Sequence, residues 1–397
     1  MIKIISYQLL KNLSTNFKSL LFSFNIFFWG ITYSTVQLRF LILLLIVPIF
    51  ISCSKQILSK FLKYFLFALL LLLHLFFQSK TFALYNILPI LGLLFFLIIL
   101  DTQKTFFFEN LNKIIFIFLT VFLIYIVINF YSYDDYFKQV SGSCIGCFSI
   151  LRKFFNENSH LALMAIPTIF YLTFISNYNK YLNLIYLILF LLICFVNPSL
   201  TLYVGVISLF LFILFFKIQV TNFNIVIILI LLSFTLIKLS VDNSSRDKVF
   251  DFFKTKNDIN LSTEVYQTSL LVAKNAILHK PFGYGFNNYN EAFDQFAPDI
   301  KVNNQLVILL NKKDASNNFS KIVTEFGIFS FFFFYFVISF LINKKINKKI
   351  KIFLMLPILI QTFIRGVGYF NGGFILFLIL AFIIWRNTRS KKNLLNE

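Results

Sequence analysis

The stretch DASNNFSKIVTEFGIFSFFFFYFVISFLINKKINKKIK, residues 314–351, changes character twice. It opens polar, runs apolar from about 319 to 342, and closes with five lysines in the nine residues 343–351. An apolar run of that length, basic at one end, reads as a membrane-spanning helix whose basic end faces the cytoplasm. Lys321 and Glu325 sit four residues apart near its polar start, so they can pair on one helix face. Charges at membrane depth are costly and usually face a cavity. The pair is read as functional, with a simply snorkelling Lys321 as the alternative.

Working outward, eleven further apolar runs lie at about 19–36, 40–54, 62–78, 82–100, 114–131, 160–176, 181–197, 199–216, 223–240, 352–364 and 372–385. The run at 40–54 is interrupted by Pro48, and the last two are short for a hydrocarbon core of about 30 Å. Only 13% of the 397 residues are charged and the mean hydropathy is +0.82. A soluble domain carries about a quarter charged residues. The expectation is an all-α polytopic membrane protein: one transmembrane unit, 1–397, of about twelve spans. Phe reaches 58 residues alongside abundant Ile, Leu, Lys and Asn, a joint rise that reads as codon bias.

The net charge of +20 falls in short clusters between apolar runs, which marks topology and contact with membrane lipids and excludes nucleic acid. Lys55, Lys60, Lys63, Lys104, Lys113, Lys180, Lys217, the 343–351 cluster and RNTRSKK at 386–392 fall in alternate connections. That places both termini in the cytoplasm and two long loops, 132–159 and 241–318, outside, with most of the acidic residues. The cytoplasmic turns are too small for a nucleotide-binding domain. No cleavable signal peptide is expected. Of the four cysteines, Cys53 and Cys194 read as small core residues; Cys144 and Cys147 (CIGC) are either a loop disulfide or a coincidence, and no second pair completes a zinc site.

The larger loop holds STEVYQTSLLVAKNAILHKPFGYG, a short amphipathic helix stopped by Pro281 and Gly283. Ser262 or Thr263 suits its N-cap, and Tyr266, Leu270, Ala273 and Ile277 form an apolar stripe. PFGYGFNNY then reads either as a plain glycine turn or as a cradle for saccharide or pyrophosphate. In the second reading Gly283 and Gly285 admit a ligand to the backbone, Tyr284, Phe286 and Tyr289 stack on sugar, and Asn287 and Asn288 offer donors and acceptors. LRKFFNENSHLALMAIP (151–167) gathers Arg152, Glu157 and His160 at the start of a span. FIRGVGYFNGG (363–373) reads as irregular backbone lining a polar cavity, with Arg365 set against the charge bias. His74, alone in LLLHLFF, reads as a core histidine bonded to a backbone carbonyl.

Taken together, these features resemble the O-antigen polymerase and ligase family of bacterial envelope glycan enzymes. The resemblance rests on the large outer loop, the helix and turn His279–Gly285, the Glu325-Phe326-Gly327 start of the next span, and FNENSHLALMAIP. It implies an enzyme of the bacterial cytoplasmic (inner) membrane acting on undecaprenyl-pyrophosphate-linked glycan at the outer face, with a chain-length regulator as a further partner. Ligases of the family carry His-Asn nine residues before the Glu; here those positions are Ser316 and Asn317. The missing His favours a polymerase over a ligase that moves finished glycan to lipid A core, and over a transporter or flippase of lipid-linked sugars. The family's arginine before the turn is replaced by Tyr266, with Arg246 further back.

Glycosyl transfer from a lipid pyrophosphate needs cations for the leaving group, a base for the acceptor hydroxyl and a water-poor site. Arg152, Arg246, Lys321 and Arg365 are the pyrophosphate candidates, and Glu157, His160 and Glu325 the candidate bases. Gly283, Tyr284, Gly285, Asn287, Asn288, Tyr289 and Asn317 are the glycan-binding candidates. No metal-ligand cluster is evident, so transfer without metal or other cofactor is expected.

Overall fold

Apolar runs of this length satisfy their backbone groups internally as helices, the form a membrane interior demands. The computed structural model describes residues 15, 17–20, 54–78, 84–131, 158–176, 180–196, 199–218, 233, 261–300, 302, 305–308, 310–369 and 373–389, and among these there is no β-strand. Among the described residues six helices precede the large loop: α1 (Ser54–Gln78), α2 (Leu84–Glu109), α3 (Leu111–Tyr131), α4 (Asn158–Phe174), α5 (Lys180–Val196) and α6 (Leu200–Phe215). The loop carries α7 (Leu261–His279) and α8 (Tyr289–Phe296). After it come α9 (Asn318–Phe326), α10 (Ser330–Ile342), α11 (Lys348–Phe363) and α12 (Phe374–Arg389).

Nine of the expected spans coincide with helices, while 19–36, 40–54 and 223–240 lie almost wholly outside the described residues. Among the described residues three helical stretches are long and apolar enough to cross a bilayer: Ser59–Gln78, Pro89–Glu109 and Asn318–Ile342. The third is the opening stretch, with a one-turn 3-10 segment, Gly327–Phe329, joining α9 to α10. One boundary differs from expectation. The segment 101–109, expected as a basic connection, continues α2 and turns into α3 only at Asn110, whose backbone N–H and side-chain amide both donate to Phe106 O.

Helix α11 is the hub. It packs on α4, α6, α9, α10 and α12, and it is buried from Lys351 to Ile358. Helix α2 packs between α1 and α12, with α3 beside it. Large apolar side chains stay exposed on the outer helices: Leu62, Leu66, Leu70 and Phe77 on α1, and Phe331, Phe332, Ile338 and Ile342 on α10. A water-soluble fold would bury such a surface; a lipid-facing one leaves it.

Helix α9 turns its polar side inward. Asn317, Asn318, Ser320, Lys321, Thr324 and Glu325 are all buried, whereas Phe319, Val323 and Phe326 are only half-buried. Helix α7 likewise buries Thr263, Glu264, Val265, Thr268, Ser269, Val272, Ala273 and Ala276. The stripe expected at Tyr266, Leu270 and Ile277 is thus rotated, with only Ala273 shared, because small and polar side chains fit the close approach to α9. Ser262 and Thr263 stand within α7, already under way at Leu261, and so do not cap it.

Candidate functional site

The turn after α7 is folded onto the C-terminal end of α9. Tyr284 N donates to Thr324 O at 3.0 Å, Gly285 N to Glu325 O at 2.9 Å, and Ile328 N to Pro281 O at 2.8 Å. Gly283 has φ +87° and Gly327 φ +53°. A Cβ on Gly283 would stand 2.7 Å from Gly327 N, and one on Gly327 2.6 Å from Gly283 N. Two glycines facing each other let two backbones touch; the close approach expected for a ligand is made by the protein itself.

The Glu325 carboxylate lies in the cradle this turn forms. Oε2 accepts from Asn287 N at 2.8 Å, Oε1 accepts from Tyr289 N at 3.1 Å, and Oε1 is 3.1 Å from Lys321 Nζ. Both charged side chains are buried, at 1% and 0% exposure. The expected pairing of Lys321 with Glu325 is therefore present, and snorkelling is not. Lys321 Nζ also donates to Lys313 O at 2.6 Å and lies 5.2 Å from the Tyr369 ring and 6.0 Å from the Tyr289 ring. An ammonium between aromatic faces gains electrostatic attraction that partly offsets desolvation. Tyr369 belongs to FIRGVGYFNGG, a stretch legible in the sequence for its glycines and arginine but not for this ring.

The aromatic and amide groups expected to meet glycan are enclosed. Tyr284, Asn288 and Tyr289 are fully buried, and Phe286 stacks on Tyr369 at 5.4 Å and 6°. Asn288 Nδ2 donates to Tyr284 O at 3.0 Å and to Glu291 at 2.8 Å. Tyr284 OH donates to Gln295 Oε1 at 2.9 Å, and burial, with the Glu291 carboxylate second, pushes its phenol up to about 12. Burial also raises the Tyr289 phenol, and the Glu325 carboxylate adds to that. Only Asn287 keeps partial exposure in this set. Lys280 fastens the same turn to α1 and α8, donating to Gln78 O at 2.8 Å and pairing with Glu291 at 3.2 Å. His74 Nε2 bonds the Phe282 carbonyl at 2.8 Å, as expected, but the residue is half-buried rather than in the core.

Asn317 caps α9, its Oδ1 accepting from Ser320 N at 2.8 Å, while its Nδ2 donates to Ser316 Oγ at 3.3 Å. The irregular segment 365–369 closes on this cap: Gly366 N donates to Ser316 O at 2.9 Å. A Cβ on Gly366 would meet Asn318 Oδ1 at 2.6 Å. Arg365 is half-buried beside the cap, and Tyr266 OH donates to Phe363 O at 2.7 Å. Ser316, Asn317, Lys321, Glu325 and Arg365, spread over fifty residues of sequence, thus form one knot with the Tyr284 turn. His160 stands in the first turn of α4, while Arg152, Glu157 and Arg246 lie outside the described residues, as do Cys144 and Cys147.

With three donors on it and no exposed surface, Glu325 acts here as an anchor; an acceptor hydroxyl reaches it only if the Tyr284 turn opens. Arg365 is half-buried at the edge of the knot, as is Lys280 of the turn. Among the described residues no group of three or more His, Cys, Asp or Glu side chains could hold a metal. Compared with protein-family models, with curated proteins and with solved structures, the chain matches none.

Proposed function

We propose that the protein is a membrane glycosyltransferase that joins undecaprenyl-pyrophosphate-linked repeat units into O-antigen or a related surface polysaccharide. The observation that carries this reading is the knot: a buried polar face on a lipid-embedded helix, with Arg365 at its edge. Polar side chains are retained at membrane depth where a polar substrate or path requires them. Arg365 suits a pyrophosphate leaving group because guanidinium stays charged and donates two parallel hydrogen bonds. Tyr266, which stands where the family carries an arginine, bonds Phe363 two residues before Arg365, so Arg365 occupies the neighbourhood that arginine would serve.

The reaction in this reading is attack by an acceptor hydroxyl on the anomeric carbon of the donor, with undecaprenyl pyrophosphate departing and a base taking the hydroxyl proton. The test is the glycolipid that accumulates when the protein is removed from its cell. Single repeat units on undecaprenyl pyrophosphate are expected. Finished polymer on the same carrier would make the protein a ligase, and precursor confined to the inner leaflet would make it a flippase. Arg365→Ala is expected to abolish long chains at unchanged protein level, with Arg365→Lys giving partial recovery. An unchanged chain-length ladder in Arg365→Ala would remove Arg365 from the site.

A further inference from the structure

A second charged cluster lies far from the knot. Asp101 on α2 is buried, at 4% exposure, and three cations converge on it. Arg386 Nη2 is 2.8 Å from its Oδ1, Lys104 Nζ 3.8 Å from the same oxygen, and Lys60 Nζ 3.9 Å from Oδ2. Lys60 Nζ also donates to Asp101 O at 3.0 Å, and Arg386 Nη1 to Tyr64 OH at 2.7 Å. Lys63 follows on α1, its Nζ 5.3 Å from the Tyr64 ring. The three cations carry one positive charge each against the single negative charge of Asp101, which leaves two without a counter-charge among the described residues. Charges next to an apolar phase need neutralising. Glu109 is eight residues further along α2, about 12 Å by helical rise, too far to do it.

The depth of the cluster says what does. From Lys60 to Gln78, where Lys280 ties the Tyr284 turn to α1, a helix rises about 27 Å. That is close to the hydrocarbon thickness of about 30 Å, so the cluster and the turn sit at opposite interfaces. Between them α1 exposes Leu62, Leu66, Leu69, Leu70 and Leu73, a wall for acyl chains. Lys60, Lys104 and Arg386 are each about a quarter exposed, at 24%, 23% and 26%, so all three can reach a ligand without leaving Asp101. Basic pockets between helices at this level take lipid phosphates.

We propose that Lys60, Lys104 and Arg386 form a binding site for the phosphate of an anionic glycerophospholipid, with Asp101 gathering the cations and setting their spacing. The site rests on the membrane placement alone and stands or falls independently of the glycan reading. The test is lipid retention by the purified full-length protein, measured by native mass spectrometry with phosphatidylglycerol and, separately, phosphatidylcholine of the same chains. Phosphatidylglycerol is expected to be retained selectively, and Lys60→Gln/Lys104→Gln to weaken that retention at least tenfold while leaving the Arg386–Asp101 pair in place. Equal retention of the two lipids, or wild-type retention by the double variant, would overturn the proposal. So would displacement of phosphatidylglycerol by an equal concentration of glycerol phosphate, which would make this a site for free phosphate. A loss of thermal stability in the double variant that is the same in both lipids, with retention unchanged, would reduce the cluster to a structural tie.

Discussion

At the scale of single residues the decisive fact is that Glu325 is spoken for. Its carboxylate meets one ammonium and two backbone N–H groups with no exposed surface. Removing one member of a buried ion pair leaves the other uncompensated, at a cost of about 3–5 kcal/mol. Glu325→Gln and Lys321→Met should each lower the unfolding midpoint in detergent, Glu325→Gln also loosening the turn. Their effects should not add: contacting partners deviate from additivity by about 0.5–3 kcal/mol. A double variant whose loss equals the sum of the two single losses would show that Lys321 and Glu325 do not act as a pair. The i, i+4 spacing announced this pair, since helix geometry alone puts the two side chains on one face. The two amides that complete the cradle were not legible, because a backbone N–H carries no sequence signature and these come from thirty-six and thirty-eight residues away. The Asp101 cluster was hidden for a related reason. Lys60, Lys104 and Arg386 each look like a topology marker until three connections are brought together.

At the scale of elements, the turn 281–289 and the joint between α9 and α10 behave as one clasp. The sequence showed a helix stopped by Pro281 and Gly283, and α7 does end at His279. It did not show which backbone the glycines admit, since a glycine signals close approach without naming the partner. The rotation of α7's buried stripe has the same origin: choosing the largest apolar side chains assumes an oily neighbour, whereas α9 presents a polar one. Gly283→Ala tests the clasp. The substitution puts a methyl group against Gly327 N in a left-handed conformation, φ +87°, which an L-residue holds at a cost of about 1–3 kcal/mol. Limited proteolysis should then cut within 281–297 at least several-fold faster than in the parent protein, with α10–α12 fragments remaining protected. Equal cutting rates would mean that the glycine pair does not hold the turn down.

At the scale of the whole molecule, the arrangement is two charged layers separated by an apolar belt. One layer contains Lys280, Lys321, Glu325 and Arg365; the other contains Lys60, Asp101, Lys104 and Arg386. Alternation of apolar runs with lysine clusters made this layering legible, because each run needs about twenty residues to span and each cluster must stop at an interface. Which cluster meets which across the bundle depends on packing at the α11 hub, and no single run encodes that. The layering has a direct consequence for labelling from outside the cell. Lys274 is exposed on α7, about two turns before the clasp, and Lys345 is exposed in the basic connection between α10 and α11. In a background with all four natural cysteines replaced by serine, Lys274→Cys should react with an impermeant maleimide on intact cells. Lys345→Cys should react only after permeabilisation. If both react on intact cells, or neither does, the two layers do not lie at opposite faces of the membrane. The reverse pattern would keep the layers but turn the protein over, placing the knot and Arg365 on the cytoplasmic side and removing the basis for transfer at the outer face.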